Sequence, residues 1–130
     1  PPKMQERHLF EYAVIRVVPR VEREEFLNVG VILLCSSRGF LQIRYTLNEA
    51  RLQAAFGNVD MEELRARLQA FEKVCAGRRE GGPIGQLGTA SRFRWLTANR
   101  STIVQTSAVH PGLCLDPTET LEKLHCDLVL

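Results

Sequence analysis

Apolar and polar positions change their period along the chain. Phe10 to Val18 (FEYAVIRVV) is dense in β-branched and aromatic residues and closes at Pro19, which predicts a strand. Arg20 to Glu25 (RVEREE) is a charged connector. Asn28 to Cys35 (NVGVILLC) then carries apolar residues at successive positions, the pattern of a strand covered on both faces and set in the middle of a sheet. Ser36 to Gly39 predicts a turn, with Gly39 suited to a positive φ. Phe40 to Tyr45 (FLQIRY) alternates and predicts the returning strand of a hairpin.

The period then lengthens. Asn48 is a cap for a short helix over Glu49 to Phe56, closed by Gly57 and Asn58. Asp60 caps a longer one, with Glu63 completing a capping-box-like pair. Met61, Leu64, Leu68, Phe71 and Cys75 recur at steps of three and four, so one apolar stripe faces the sheet or another helix, and Gly77 ends it. Gly77 to Gly88 holds five of the nine glycines and predicts a mobile surface loop over 77–90. Ser91 to Thr97 fits a short helix or a strand, and helix is preferred. Ser101 to Val109 predicts a strand, broken by His110-Pro111-Gly112. Asp116, Pro117 and Glu119 mark a helix start, followed by a stripe of Leu121, Leu124 and Leu128.

Strands come early and helices late. The expectation is an α+β fold, an antiparallel or mixed sheet of about four strands with helices packed on it. A chain of 130 residues, 45% hydrophobic and 25% charged, closes one core, so residues 1–130 are expected to be a single domain. Residues 1–8 are expected to form a flexible N-terminus. Met4 is read as the natural start, and no basic-then-apolar leader follows it, which predicts a cytoplasmic protein. No apolar run approaches the roughly 20 residues of a membrane span, so no membrane partner is expected.

Cysteine spacing changes the picture little. Cys35, Cys75, Cys114 and Cys126 include no C-x-x-C pair, and Cys35 and Cys75 fall on apolar positions as small hydrophobes. His110 with Cys114, and His125 with Cys126, could supply four zinc ligands. Adjacent residues on a helix point about 100° apart, however, so His125 and Cys126 do not face one ion, and no metal is expected. No Walker loop, G-x-S-x-G elbow or H-E-x-x-H pair is present, and neither a catalytic residue nor a cofactor is assigned.

Charge is more informative. The net charge of +2 hides an asymmetry. Arg78, Arg79, Arg92, Arg94 and Arg100 oppose only Glu80 between positions 78 and 100, a local charge of +4, whereas 101–130 sums to −3. Two readings stand side by side. In one, these arginines with interleaved Phe93 and Trp95 form a face for phosphates or nucleic acid, with His110 beside it. In the other, the aromatics are core and the arginines are solvated or pair locally, Arg100 with a carboxylate of the last helix. Within Asn28-Val29-Gly30, Gly30 in an apolar strand marks a bulge or a close backbone approach, or else a partner lying against it.

Glu25-Phe26-Leu27-Asn28-Val29-Gly30-Val31, preceded by Tyr12 to Pro19, resembles domain-of-unknown-function family 3037. Arg94 to Thr97, Arg100-Ser101, Ser107-x-x-His110-x-Gly112 and Asp116-Pro117 resemble its later segments. The resemblance marks Glu25, Asn28 and Gly30 as a structural motif and implies a small bacterial protein without an established activity. It also implies a functional partner, a HipA-like kinase encoded beside members of the family. The expected function is a non-enzymatic interaction module. The alternatives are a nucleic-acid binder, or an enzyme on a phosphorylated substrate with His110 as acid or base near Arg94 and Arg100.

Overall fold

The computed structural model describes residues 6–19, 25–77, 79–100 and 102–130. Three strands, β1 (His8–Val17), β2 (Leu27–Cys35) and β3 (Phe40–Tyr45), form an antiparallel meander. The helices α1 (Glu49–Phe56) and α2 (Met61–Ala76) follow, then a single turn at Arg79–Gly81 that leads into α3 (Gly82–Gly85), and α4 (Thr89–Leu96). The chain ends with β4 (Val104–Thr106), β5 (His110–Cys114) and α5 (Pro117–Leu128). The sheet runs β3-β2-β1-β4, and β5 shares the β4 side of β1. Every pairing is antiparallel, so the fold is α+β.

Local chemistry starts and stops the helices where the sequence indicates. Asn48, Asp60 and Asp116 each accept a main-chain N–H of the first turn. Glu63 does not close the box at Asp60, because its carboxylate accepts Arg67 one turn on at 3.1 Å. Gly77 ends α2 in the left-handed region, φ 69°. The expected loop over 77–90 carries α3 instead. Pro83 sits in its first turn, where no N–H is needed, and Gly85 is buried.

Successive residues of β2 are buried because the sheet is covered twice. On one face Ile15, Val17, Ile32 and Leu34 pack against Leu64, Leu68 and Phe71 of α2, Leu52 of α1 and Phe93 and Leu96 of α4. On the other, Phe10, Val31, Leu33 and Cys35 pack with Leu121 and Val129 at α5. Two clusters on alternate residues of one strand are what make β2 central.

The final strand region differs from expectation. Residues 107–109 make the break, and His110-Pro111-Gly112 lies inside β5. Ser107 N–H donates to Val14 O at 2.8 Å, and Val14 N–H donates to Ser107 Oγ at 2.8 Å, so the Val14 main chain faces β4 and β5. By alternation, Leu9 with Leu113 and Glu11 with Pro111 are non-hydrogen-bonded pairs, and the Pro111 and Leu113 main chains point to the open edge. The missing N–H of Pro111 therefore costs the ladder nothing. Gly112 fits because the Phe10 ring lies over it, 2.5 Å from where a Cβ would stand.

Candidate functional site

Two of the arginines after α2, Arg92 and Arg100, are placed by helix ends rather than by one surface. The last carbonyls of a helix lack intrahelical donors and carry the negative end of its dipole. Arg92 on α4 supplies donors to α2. Its Nη1 donates to Val74 O at 3.0 Å and Cys75 O at 2.7 Å, and its Nε to Leu87 O at 2.9 Å. Gly77 gives the guanidinium room, since a Cβ there would stand 2.6 Å from Nη1. Arg100 does the same for α4, donating to Leu96 O at 2.8 Å, Ala98 O at 3.1 Å and Trp95 O at 2.6 Å. Its Cζ lies 5.0 Å from the Phe71 ring centre and 4.7 Å from that of Trp95. Burial draws its pKa below the ordinary arginine value. Arg100 thus finds carbonyls of its own helix, not a carboxylate of α5.

Arg79 and Arg94 are exposed and have no partner among the described residues. Arg78 lies outside the described residues. Phe93 is core, while Trp95 keeps 38% of its surface exposed. His110 is elsewhere. It sits opposite Tyr12, the ring centres 5.4 Å apart, and Tyr12 packs with the α5 cluster. The sheet separates His110 from α4, so the structure does not bring it together with Arg94 and Arg100. Among the described residues, no three His, Cys, Asp or Glu side chains gather as a metal site. No helix among them is long and apolar enough to cross a membrane.

Two other places stand out. The first is the β5 edge. Leu9 and Leu113 face each other across β1 and β5 and remain 60% and 62% exposed, beyond the reach of α2 and α4. Leu115 and Val109, which flank β5 in the chain, are exposed as well. Non-hydrogen-bonded pairs bring side chains closest, so Leu9 and Leu113 form one continuous apolar surface beside a strand edge that is unpaired among the described residues.

The second lies on the α5 face at the other end of β1. Val29 is an extra residue between Gly30, opposite Ile15, and Asn28, opposite Arg16. This bulge turns Val29 into the α2-side core and sets Asn28 directly across from Arg16. Gly30 is needed beside it, since a Cβ would stand 2.8 Å from Arg44 O and from Tyr45 Cβ. That is the close backbone approach foreseen for this glycine. Asn28 Nδ2 donates to Leu128 O at 3.2 Å. Its Oδ1 and Arg16 Nε are both buried without a hydrogen-bond partner among the described residues. The Arg16 guanidinium lies 4.1 Å from the Phe26 ring centre, and Phe26 is 48% exposed. Glu25, just before, is exposed and engaged in an interaction. Arg16 and Phe26 both lie in the stretches that resemble the family, and only the fold shows that they meet.

The two-sided α+β fold defines the class. Residues 12–129 match the family model described as "Protein of unknown function (DUF3037)", and the chain belongs to that family. Comparison with curated proteins finds no match, and neither does comparison with solved structures.

Proposed function

We propose that the protein is a non-enzymatic interaction module that docks a protein partner on the β5 edge. The observation that carries this reading is the Leu9–Leu113 pair, two opposed leucines about 60% exposed beside an open strand edge. On this edge Leu113 offers an N–H and a C=O and Pro111 a C=O alone, so the contiguous apolar side chains, more than a main-chain ladder, carry the docking. The partner is a HipA-like kinase-fold protein, supported by the family association. The site of action is the cytoplasm, where the free thiols of Cys35, Cys75, Cys114 and Cys126 fit a reducing compartment.

Co-expression with the neighbouring kinase-fold protein tests both parts. The two chains should co-elute, and Leu9→Ser with Leu113→Ser should separate them while leaving the circular dichroism spectrum unchanged. A wild-type chain that elutes alone, or a double variant that still co-elutes, overturns the reading.

Among the described residues, the nucleic-acid alternative keeps Arg79 and Arg94 as solvent-facing cations, since Arg92 and Arg100 direct donors to carbonyls.

A further inference from the structure

We infer that the hollow between α2, α3 and Trp95 is a binding site for a free α-amino acid with an apolar side chain. The inference goes beyond the docking reading and shares no residue with it, so either can fail alone.

The argument starts from the glycine-rich stretch after α2. Glycines lose the most backbone freedom on ordering, yet the turn at Arg79–Gly81 and α3 fold back onto α2. Gly81 allows the approach, since a Cβ there would stand 3.0 Å from Lys73 O. Ala66 and Ala70, one turn apart on α2, keep the floor low, and Ile84 and Trp95 complete the walls. The enclosed hollow measures about 410 Å³, inside the roughly 300–1,000 Å³ range of small-molecule sites. Its aromatic wall is fixed before any ligand arrives. Phe71 meets the Trp95 ring edge-on at 6.4 Å between centres, and the Arg100 Cζ lies 4.7 Å from the centre of the same ring. Trp95 nevertheless keeps 38% of its surface exposed. A ring held in place by its neighbours gives up little freedom on contact and favours an apolar group against it.

The polar side of the hollow decides the ligand. Gln69, Lys73 and Glu80 line it and also line an adjoining hollow of about 490 Å³, to which Glu72 contributes. The two therefore meet at one cation and two carboxylates. Glu72 is steadied there, because its Oε1 accepts from the Tyr45 hydroxyl at 3.0 Å. A phosphate would face two carboxylates for one ammonium group. An arylalkylamine offers Lys73 nothing, and an apolar carboxylate offers Glu72 and Glu80 nothing. An α-amino acid answers all three: its carboxylate accepts from Lys73, its ammonium donates to Glu72 and Glu80, and its side chain enters beside Trp95 and Ile84. Lys73, Glu72 and Glu80 are exposed, so these groups are open to a ligand from solvent.

Trp95 is the single tryptophan of the chain, so its fluorescence reports on the hollow directly. The full chain is titrated with L-phenylalanine, phenethylamine, phenylpropionate, glycine and the dipeptide Phe-Ala, with excitation beyond the absorption of phenylalanine and tyrosine. A saturable change in Trp95 emission is expected with L-phenylalanine at millimolar concentration, and none with glycine at the same concentration. Phenethylamine, phenylpropionate and Phe-Ala each lack one of the charges at its place, and each should bind at least about five-fold more weakly, roughly 1 kcal/mol for an exposed charge pair. Glu80→Gln should weaken L-phenylalanine binding by about the same factor without weakening phenylpropionate, a selectivity that a merely structural role would not produce. Ala70→Leu, at an exposed helix position, should fill the hollow and abolish the response with an unchanged circular dichroism spectrum. Absence of a saturable response to L-phenylalanine, an equal response to glycine, equal affinity for phenethylamine or phenylpropionate, or unchanged affinity in both variants overturns the inference. Phe-Ala binding as tightly as L-phenylalanine also overturns it, in favour of a peptide N-terminus.

Discussion

Arg92 shows how one side chain can serve a neighbouring element. Its three donors reach Val74, Cys75 and Leu87 carbonyls, two of them at the end of another helix. Charge-assisted bonds of this kind contribute about 1.5–3 kcal/mol against leaving buried carbonyls unmet. Arg92→Ala should therefore destabilise the protein by about 2–3 kcal/mol, read as a lower urea midpoint at unchanged slope. Arg92→Lys should recover less than half of the loss, because a single ammonium cannot reproduce the fork. Equal midpoints for wild type and Arg92→Ala would contradict this role. The role was not legible in the sequence. Arg92 lies 17 and 18 residues from its two acceptors on α2, a spacing with no helical or strand meaning. The charge count of that segment was legible, but the destination of each guanidinium depends on tertiary packing.

At the scale of elements, α5 docks on β3 through polar as well as apolar contacts. Arg44 and Glu122 form an exposed pair at 2.7 Å, and Thr46 Oγ1 bonds His125 Nε2 at 2.9 Å. The exposed pair contributes little by itself. His125 is more telling. Burial lowers its pKa, and the nearby Arg44 cation lowers it further. The fold therefore favours the neutral imidazole. That contribution is present above the unfolded value near 6.5 and is lost as pH falls through the lower folded value. Stability should decline more steeply between pH 7 and pH 5 in the wild type than in His125→Gln, measured by urea midpoints across that range. Parallel curves would refute the assignment. The boundaries of these elements were largely legible, because Asn48, Asp60, Asp116 and Pro117 act within their own first turns. The splitting of the last strand region was not. Pro111 and Gly112 resemble a break until the register shows that one faces an open edge and the other lies beneath Phe10.

The whole molecule is organised around a sheet whose middle strand is enclosed twice. Its alkaline behaviour follows from two groups at the α2-side core, the partly buried Tyr45 and the buried Cys75. Burial raises the Tyr45 pKa to about 12, with the hydrogen bond from its hydroxyl to Glu72 adding to the effect. Burial also raises Cys75 to about 12, against the lowering influence of Arg92. Both groups are favoured in their protonated, neutral forms by the fold. Their contributions are complete below the unfolded values, near 8.5 for Cys and 10 for Tyr, and disappear as pH rises towards 12. Tyr45→Phe should flatten the loss of stability between pH 9 and pH 11, as followed by thermal denaturation. An unchanged slope would show that Tyr45 does not contribute to it. The apolar alternation that predicts such a sheet is local and legible; the bulge opposite Arg16 is not, because it exists only once β1 and β2 have chosen their register.

β1 also sets the timetable of assembly. Its β2 side finds a partner within the next hairpin, but its other side must wait for β4 and β5, whose paired residues begin at Val104. At about 5–20 residues per second, the interval of nearly 90 residues lasts roughly 4–18 s during synthesis. For that time the nascent chain displays a long, apolar template on the ribosome. Chaperone capture, or premature association between neighbouring nascent chains, is therefore concentrated on β1, well before α5 can seal the second face.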